Sequence, residues 1–177
     1  MKTRLAFYRG RRSENPKSLI GDWLICWVTG SQFSHVELLV GHGPATGGVS
    51  VDFKPYYGPM ATMLSSSIRD SGVREVWRTL DPSRWVVVEI DREPAPALAY
   101  VRSRIGTPYG WLDLLSFLVP FRVSTSADFC SEVISAGFSL PQPWHKSPQD
   151  LFSWAEQQPG FRVLTADEFS VPWMATA

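Results

Sequence analysis

Cysteine is scarce in this chain, and its scarcity excludes two chemistries. With only Cys26 and Cys130 in 177 residues there is no disulfide framework, and neither stands at zinc-ligand spacing from the other or from the three histidines. No metal and no other cofactor is expected, and a reducing compartment fits best. An excess of charge of one sign is also missing. Seventeen Lys and Arg balance seventeen Asp and Glu, and only Arg9, Arg11 and Arg12 cluster, so nucleic acid is not expected as a partner. Long hydrophobic runs are absent too. Leu5 to Tyr8 is too short for the core of a secretory signal, so the chain is expected in the cytoplasm at synthesis. The longest apolar stretch, Trp111 to Phe121, is interrupted by Asp113, Ser116 and Pro120. It falls short of the roughly 20 residues that span a bilayer, so no transmembrane segment is expected.

What the chain does have is enough apolar material for one core: 44% of its residues are hydrophobic and 13% aromatic, with eight tryptophans. So many large flat side chains in one domain predict some left over for a groove or an aromatic docking surface.

The patterning predicts an α+β fold in a single domain, 1–177. Arg4 to Tyr8 reads as a strand. Pro16 then opens a helix over Lys17 to Val28, whose apolar residues Leu19, Ile20, Trp23, Leu24 and Trp27 mark one face. His35 to Val40, Val73 to Trp77 and Trp85 to Ile90 read as strands, and Val49 to Phe53 as a hairpin partner for the first of these. From Glu93 onward the pattern turns helical: Ala97 to Ile105, Trp111 to Leu118, Phe129 to Ala136 capped by Asp128, and a helix opened by Ser147 and Pro148.

Cys130 falls in the first turn of its predicted helix, where unpaired N–H groups and the helix dipole favour a thiolate. A small buried hydrophobe fits the same position, and Cys26, among Ile25 and Trp27, reads as only that. A thiolate nucleophile needs a base. Of the histidines, His42 lies in a Gly-rich loop and His145 beside Trp144 and Lys146, leaving His35 at the start of a hydrophobic strand. Glu37, two residues on, shares a face with His35. Either it has a polar task on a core face, such as orienting the imidazole, or that face is solvated.

These residues resemble a family. Gly30-Ser31-Gln32-Phe33-Ser34-His35-Val36-Glu37-Leu38 after a Trp-bearing helix, then Ser65 to Arg74, Gly106-Thr107-Pro108-Tyr109-Gly110-Trp111, Phe129-Cys130-Ser131-Glu132 and Ser147 to Leu151 follow in order. Over 4–154 the chain resembles the circularly permuted NlpC/P60-like, papain-like cysteine hydrolases; His35 preceding Cys130 is the order of the permuted branch.

The resemblance implies a small antiparallel sheet with the Cys helix packed across it. It also implies Cys130 as nucleophile, His35 as general base and then acid, and a thioester acyl-enzyme. Backbone N–H groups at the helix start would hold the oxyanion. Tyr109 resembles a tyrosine kept near the nucleophile, with Ser66 as a further substrate contact. The third polar residue is Glu37, with Asp52, Ser65 and Ser66 as rivals, because 43–63 lengthens the region after the His strand.

The implied function is an amidase or peptidase acting on a peptide or acyl-type substrate, peptidoglycan stem peptides being the class associated with the family. Lacking an export signal, such an enzyme would be delivered by a phage particle or a secretion machine, or would act in the cytoplasm. Two other readings stand beside it. One is a lipid acyl hydrolase or acyltransferase of the lecithin:retinol acyltransferase-like kind. The other is a non-catalytic phage or virion component that docks through its tryptophans.

Overall fold

A computed structural model describes residues 1–10, 16–42, 60–110 and 126–170 of the chain. The fold is α+β. Among the described residues, six strands form one antiparallel sheet in the order β4-β3-β2-β1-β5-β6, where β1 is Thr3–Tyr8, β2 His35–His42, β3 Met60–Ser67, β4 Gly72–Thr79, β5 Trp85–Ile90 and β6 Arg162–Val163. The helices are α1 Pro16–Thr29, α2 Ala95–Ser103, α3 Cys130–Gly137, α4 Pro148–Glu156 and α5 Ala166–Ser170.

The centre of the sheet is buried. Every residue of β1 is buried, and β1 pairs with both β2 and β5. Alternation then splits its side chains between the two faces. Leu5 and Phe7 join Val36, Leu38, Leu64, Val88 and Ile90 in a core shared with Leu98 and Val101 of α2 and Val133 and Ile134 of α3. Ala6 joins Leu39, Met63, Val76 and Val87 in a smaller cluster. Helix α3 packs on α2, β2 and β3, and so lies against the strands that carry the polar residues singled out above.

The helix starts follow capping chemistry. At α4 the Ser147 hydroxyl accepts the Asp150 N–H at 3.1 Å, and the Asp150 carboxylate accepts the Ser147 N–H at 2.9 Å, with Pro148 at the first helical position. At α3 the expected cap is corrected by one residue. Phe129, not Asp128, holds the cap position, and Glu132 accepts the Phe129 N–H at 3.4 Å. Asp128 instead accepts from Arg104 Nε at 2.8 Å, because a buried carboxylate next to a guanidinium gains more from an ion pair than from a cap. Cys130 is therefore the first residue of the helix proper.

The tryptophan face of α1 turns outward. Trp23 is 54% and Trp27 68% exposed, with ring centroids 6.1 Å apart and nearly parallel, while Ile25 and Cys26 on the other side are buried. Both cysteines are free. The Val49 to Phe53 hairpin, Asp52 and the Trp111 to Leu118 helix lie outside the described residues, and among those described no helix is long and apolar enough to cross a membrane.

Candidate active site

The first residue of α3 and the first residue of β2 meet. Cys130 is completely buried, and its side chain lies close enough to His35 to act on the charge of the imidazole. One ring nitrogen of His35 is occupied: Nε2 lies 2.7 Å from Glu37 Oε1. With Glu37 ionised and acting only as acceptor, Nε2 carries the proton in the neutral imidazole, and Nδ1 is left as the acceptor. That is the tautomer a base toward a thiol requires.

Glu37 is 2% exposed, so the solvated-face reading of its strand does not hold. A buried carboxylate needs partners, and Arg74 supplies two hydrogen bonds, Nη2 to Oε1 at 2.6 Å and Nη1 to Oε2 at 2.9 Å. The register explains the reach. Leu38 pairs with Leu64, and Ser65, the next residue of β3, pairs with Arg74 of β4. Ser65 thus lies between Glu37 and Arg74 on neighbouring strands. Its short side chain lets the guanidinium pass above it, and Arg74 Nη1 also donates to the Ser65 carbonyl at 3.0 Å. Asp70 holds Arg74 from behind through Nε at 2.7 Å and grips Arg78 as well.

The electrostatics follow this chain of charges. Burial alone would push Glu37 up, but the Arg74 guanidinium and then His35 outweigh it and hold the carboxyl down at about 2. Burial would push His35 down, yet the Cys130 side chain, followed by Glu37, lifts the imidazole to about 9. Arg74 is likewise held up, its burial outweighed by Glu37 and Asp70.

Three of the residues singled out from the sequence, Cys130, His35 and Glu37, therefore come together. Tyr109 lies beside them. It lines a pocket with His35, Glu37 and Trp85, and its ring sits 5.6 Å from that of Phe129. Ser66 is directed elsewhere: it is fully buried and its hydroxyl donates to the Asp128 carbonyl at 2.7 Å, tying down the segment just before Cys130. Ser65 Oγ donates to the Val36 carbonyl at 2.7 Å, so both serines brace backbone.

Sequence reasoning missed Arg74 and Asp22. Arg74 ended the quoted Ser65 to Arg74 segment without a role, since only the β3–β4 register shows that it faces Glu37. Asp22, on α1, lines the same pocket as His35; the apolar residues around it in the sequence gave no signal. Among the described residues no three His, Cys, Asp or Glu side chains converge to hold a metal ion.

No family model matches the chain, and no curated protein matches it.

Proposed function

We propose that the chain is a cysteine hydrolase of the amidase or peptidase kind with a permuted papain-like, NlpC/P60-like fold. The observation that carries this reading is a cysteine at the first position of a helix, in contact with a histidine whose other nitrogen is fixed by a buried, Arg-held carboxylate. Structural cysteines have no use for such an arrangement, whereas a nucleophile with an oriented base does.

In the proposed reaction His35, charged at neutral pH, already holds the proton given up by the Cys130 sulfur, and that sulfur bonds to the carbonyl carbon of an amide. The oxygen of the tetrahedral adduct takes up the negative charge. The backbone N–H of Cys130, with no intrahelical partner at the start of α3, would stabilise it. Collapse of the adduct breaks the C–N bond, and His35 returns the proton to the leaving amine. Water, deprotonated by His35, then attacks the thioester; the carboxylic acid departs and the thiolate is restored beside the charged imidazole. Glu37 keeps the imidazole in the required tautomer and stabilises its charged form throughout. Cys130 is buried while the His35 side chain remains 18% exposed, so substrate approaches from the imidazole side, through the pocket that Tyr109 lines. Peptides, with peptidoglycan stem peptides first among them, are the substrate class that the resemblance supports.

The test is alkylation of Cys130 by iodoacetamide at neutral pH, followed by mass spectrometry with buried Cys26 as internal reference. Cys130 is expected to react at least about tenfold faster than Cys26 and to lose that advantage in His35→Ala. Equal rates for the two thiols, or indifference to His35, sink the hydrolase reading.

The exposed Trp23 and Trp27 pair favours a second reading, a docking protein that keeps the fold without the chemistry. Under it, function survives Cys130→Ala and is lost on replacing the tryptophans.

A further inference from the structure

The pocket beside His35 contains two polar groups that the catalytic arrangement leaves unused. Asp22 of α1 accepts the Ser34 hydroxyl through Oδ1 at 2.8 Å, but its Oδ2 is buried without a hydrogen-bond partner. An orphaned carboxylate oxygen in a cleft is a costly feature, and buried polar atoms are nearly always satisfied. Its position is fixed by packing as well as by Ser34. A side chain at Gly10 would come within 2.6 Å of Ser34 Cβ and 3.1 Å of Asp22 Cβ, so the three residues interlock.

Arg69 lines the same pocket and is exposed. Its neighbours Arg74 and Arg78 are committed to Asp70, whereas Arg69 makes no side-chain ion pair within hydrogen-bonding distance among the described residues. Asp22 feels the charges of both Arg69 and His35 without bonding to either. Burial pushes its carboxyl up, while Ser34, Arg69 and His35 pull it down. Of the other charged lining residues, Glu37 is held by Arg74 and His35, His35 lies against Glu37 and Cys130, and Arg78 is tied to Asp70 through Nη2 while its buried Nε has no partner.

A pocket with an unpartnered carboxylate oxygen on Asp22 and an unpaired guanidinium on Arg69, unbonded to each other, is completed by a ligand carrying the opposite charges as two groups on one carbon. We propose that Asp22 and Arg69 form a subsite for an amino-acid zwitterion, with the ammonium on Asp22 Oδ2 and the carboxylate on the Arg69 guanidinium. Tyr8, Ile25, Ile68 and Trp85 supply aromatic and aliphatic walls for the carbon skeleton. The inference deepens the hydrolase reading and rests on it for its consequence. A residue bound by its own free ammonium and carboxylate has only its side chain left to carry the bond that Cys130 attacks. The substrate class is then a side-chain amide of an amino acid whose two α-groups are free.

Binding is measurable without turnover. In Cys130→Ala, titration with L-alanine followed by ¹H–¹⁵N NMR is expected to give saturable shifts at Ser34, His35 and Arg69, while ethylamine and propionate, each offering one charge, bind at least about tenfold more weakly. Asp22→Asn and Arg69→Gln are each expected to weaken alanine binding by a similar factor; Arg69 is exposed, so the second variant keeps the fold and reports on the charge alone. The proposal is overturned by the absence of saturable shifts, by equal binding of a single-charge probe, or by variants that bind alanine as the parent does. His35-dependent alkylation of Cys130 is scored separately. A reactive Cys130 without alanine binding ends the subsite and leaves the hydrolase. Alanine binding beside an inert Cys130 ends the hydrolase and leaves an amino-acid pocket.

Discussion

Arg74 grips Glu37 through both carboxylate oxygens, at 2.6 and 2.9 Å, and the first of those oxygens also faces His35 Nε2 at 2.7 Å. One carboxylate thus serves a structural ion pair and the imidazole together. Replacing it separates the two roles. Glu37→Gln leaves the Arg74 charge buried against a neutral amide, and breaking a buried pair from one side costs about 3–5 kcal/mol. It also gives His35 a side chain that can flip and no longer dictates the tautomer. We expect a lower urea midpoint together with a fall of Cys130 alkylation toward the Cys26 rate. An unchanged alkylation rate in a folded Glu37→Gln protein would remove Glu37 from the site.

The pH dependence has two limbs of opposite sign. His35 is raised from 6.5 to about 9, so its contribution to stability is complete below about pH 6.5 and is lost as pH climbs through about 9. Glu37 is lowered from 4.5 to about 2, so its contribution is complete above about pH 4.5 and is lost as pH falls toward 2. Between them lies a plateau from about pH 4.5 to 6.5. Urea midpoints measured across this range should show it, and His35→Gln should flatten the alkaline limb while leaving the acid one. An alkaline limb that persists in His35→Gln would assign it to another group.

Gly72 opens β4 at φ 153°, bridged to Pro108, and a Cβ there would run into the Thr107 carbonyl oxygen. Gly72→Ala is therefore expected to push away the segment that leads into Tyr109. The strained backbone alone costs about 1–3 kcal/mol. The checking measurement is a thermal melt with Tyr109 resonances followed by NMR; a neutral substitution with Tyr109 unmoved would contradict the close approach.

Trp23 and Trp27 stack on each other in solvent rather than on the core. Trp23→Ser with Trp27→Ser should shift stability by no more than about 0.5 kcal/mol per site and leave Cys130 reactivity intact. Any partner that docks on this helix should be lost. A large loss of stability would show that the pair supports the fold.

Local signals in the sequence were good guides to local structure. Trp85 to Ile90, flanked by turn residues and rich in valine, is β5 to the residue, and Ser147 with Pro148 opens α4 as capping chemistry predicts. The first turn of α3 shifted by one residue because Asp128 found Arg104, a partner 24 positions away that no local pattern displays. Period-two spacing tied Glu37 to His35, but could not say whether their face was wet or dry. That depended on Arg74, which reaches Glu37 only through the pairing of β3 with β2 and of β4 with β3. The apolar stripe of α1 was visible as a stripe, yet periodicity marks a face without saying which way it turns, and Trp23 and Trp27 face outward.

The order of the site along the chain sets when it becomes complete. His35, Glu37, Asp70 and Arg74 belong to β2, β4 and the turn between β3 and β4, whereas Cys130 opens α3, 95 positions after His35. During synthesis the ion-paired half of the arrangement leaves the ribosome well before the thiol does, and the sheet can assemble around its own buried charges. The thiol meets the imidazole only when α3 docks on β2 and β3. Under the hydrolase reading its activation is thus tied to closure of the fold, and a nascent or truncated chain ending before α3 would carry the imidazole and its ion pair with no thiol to activate.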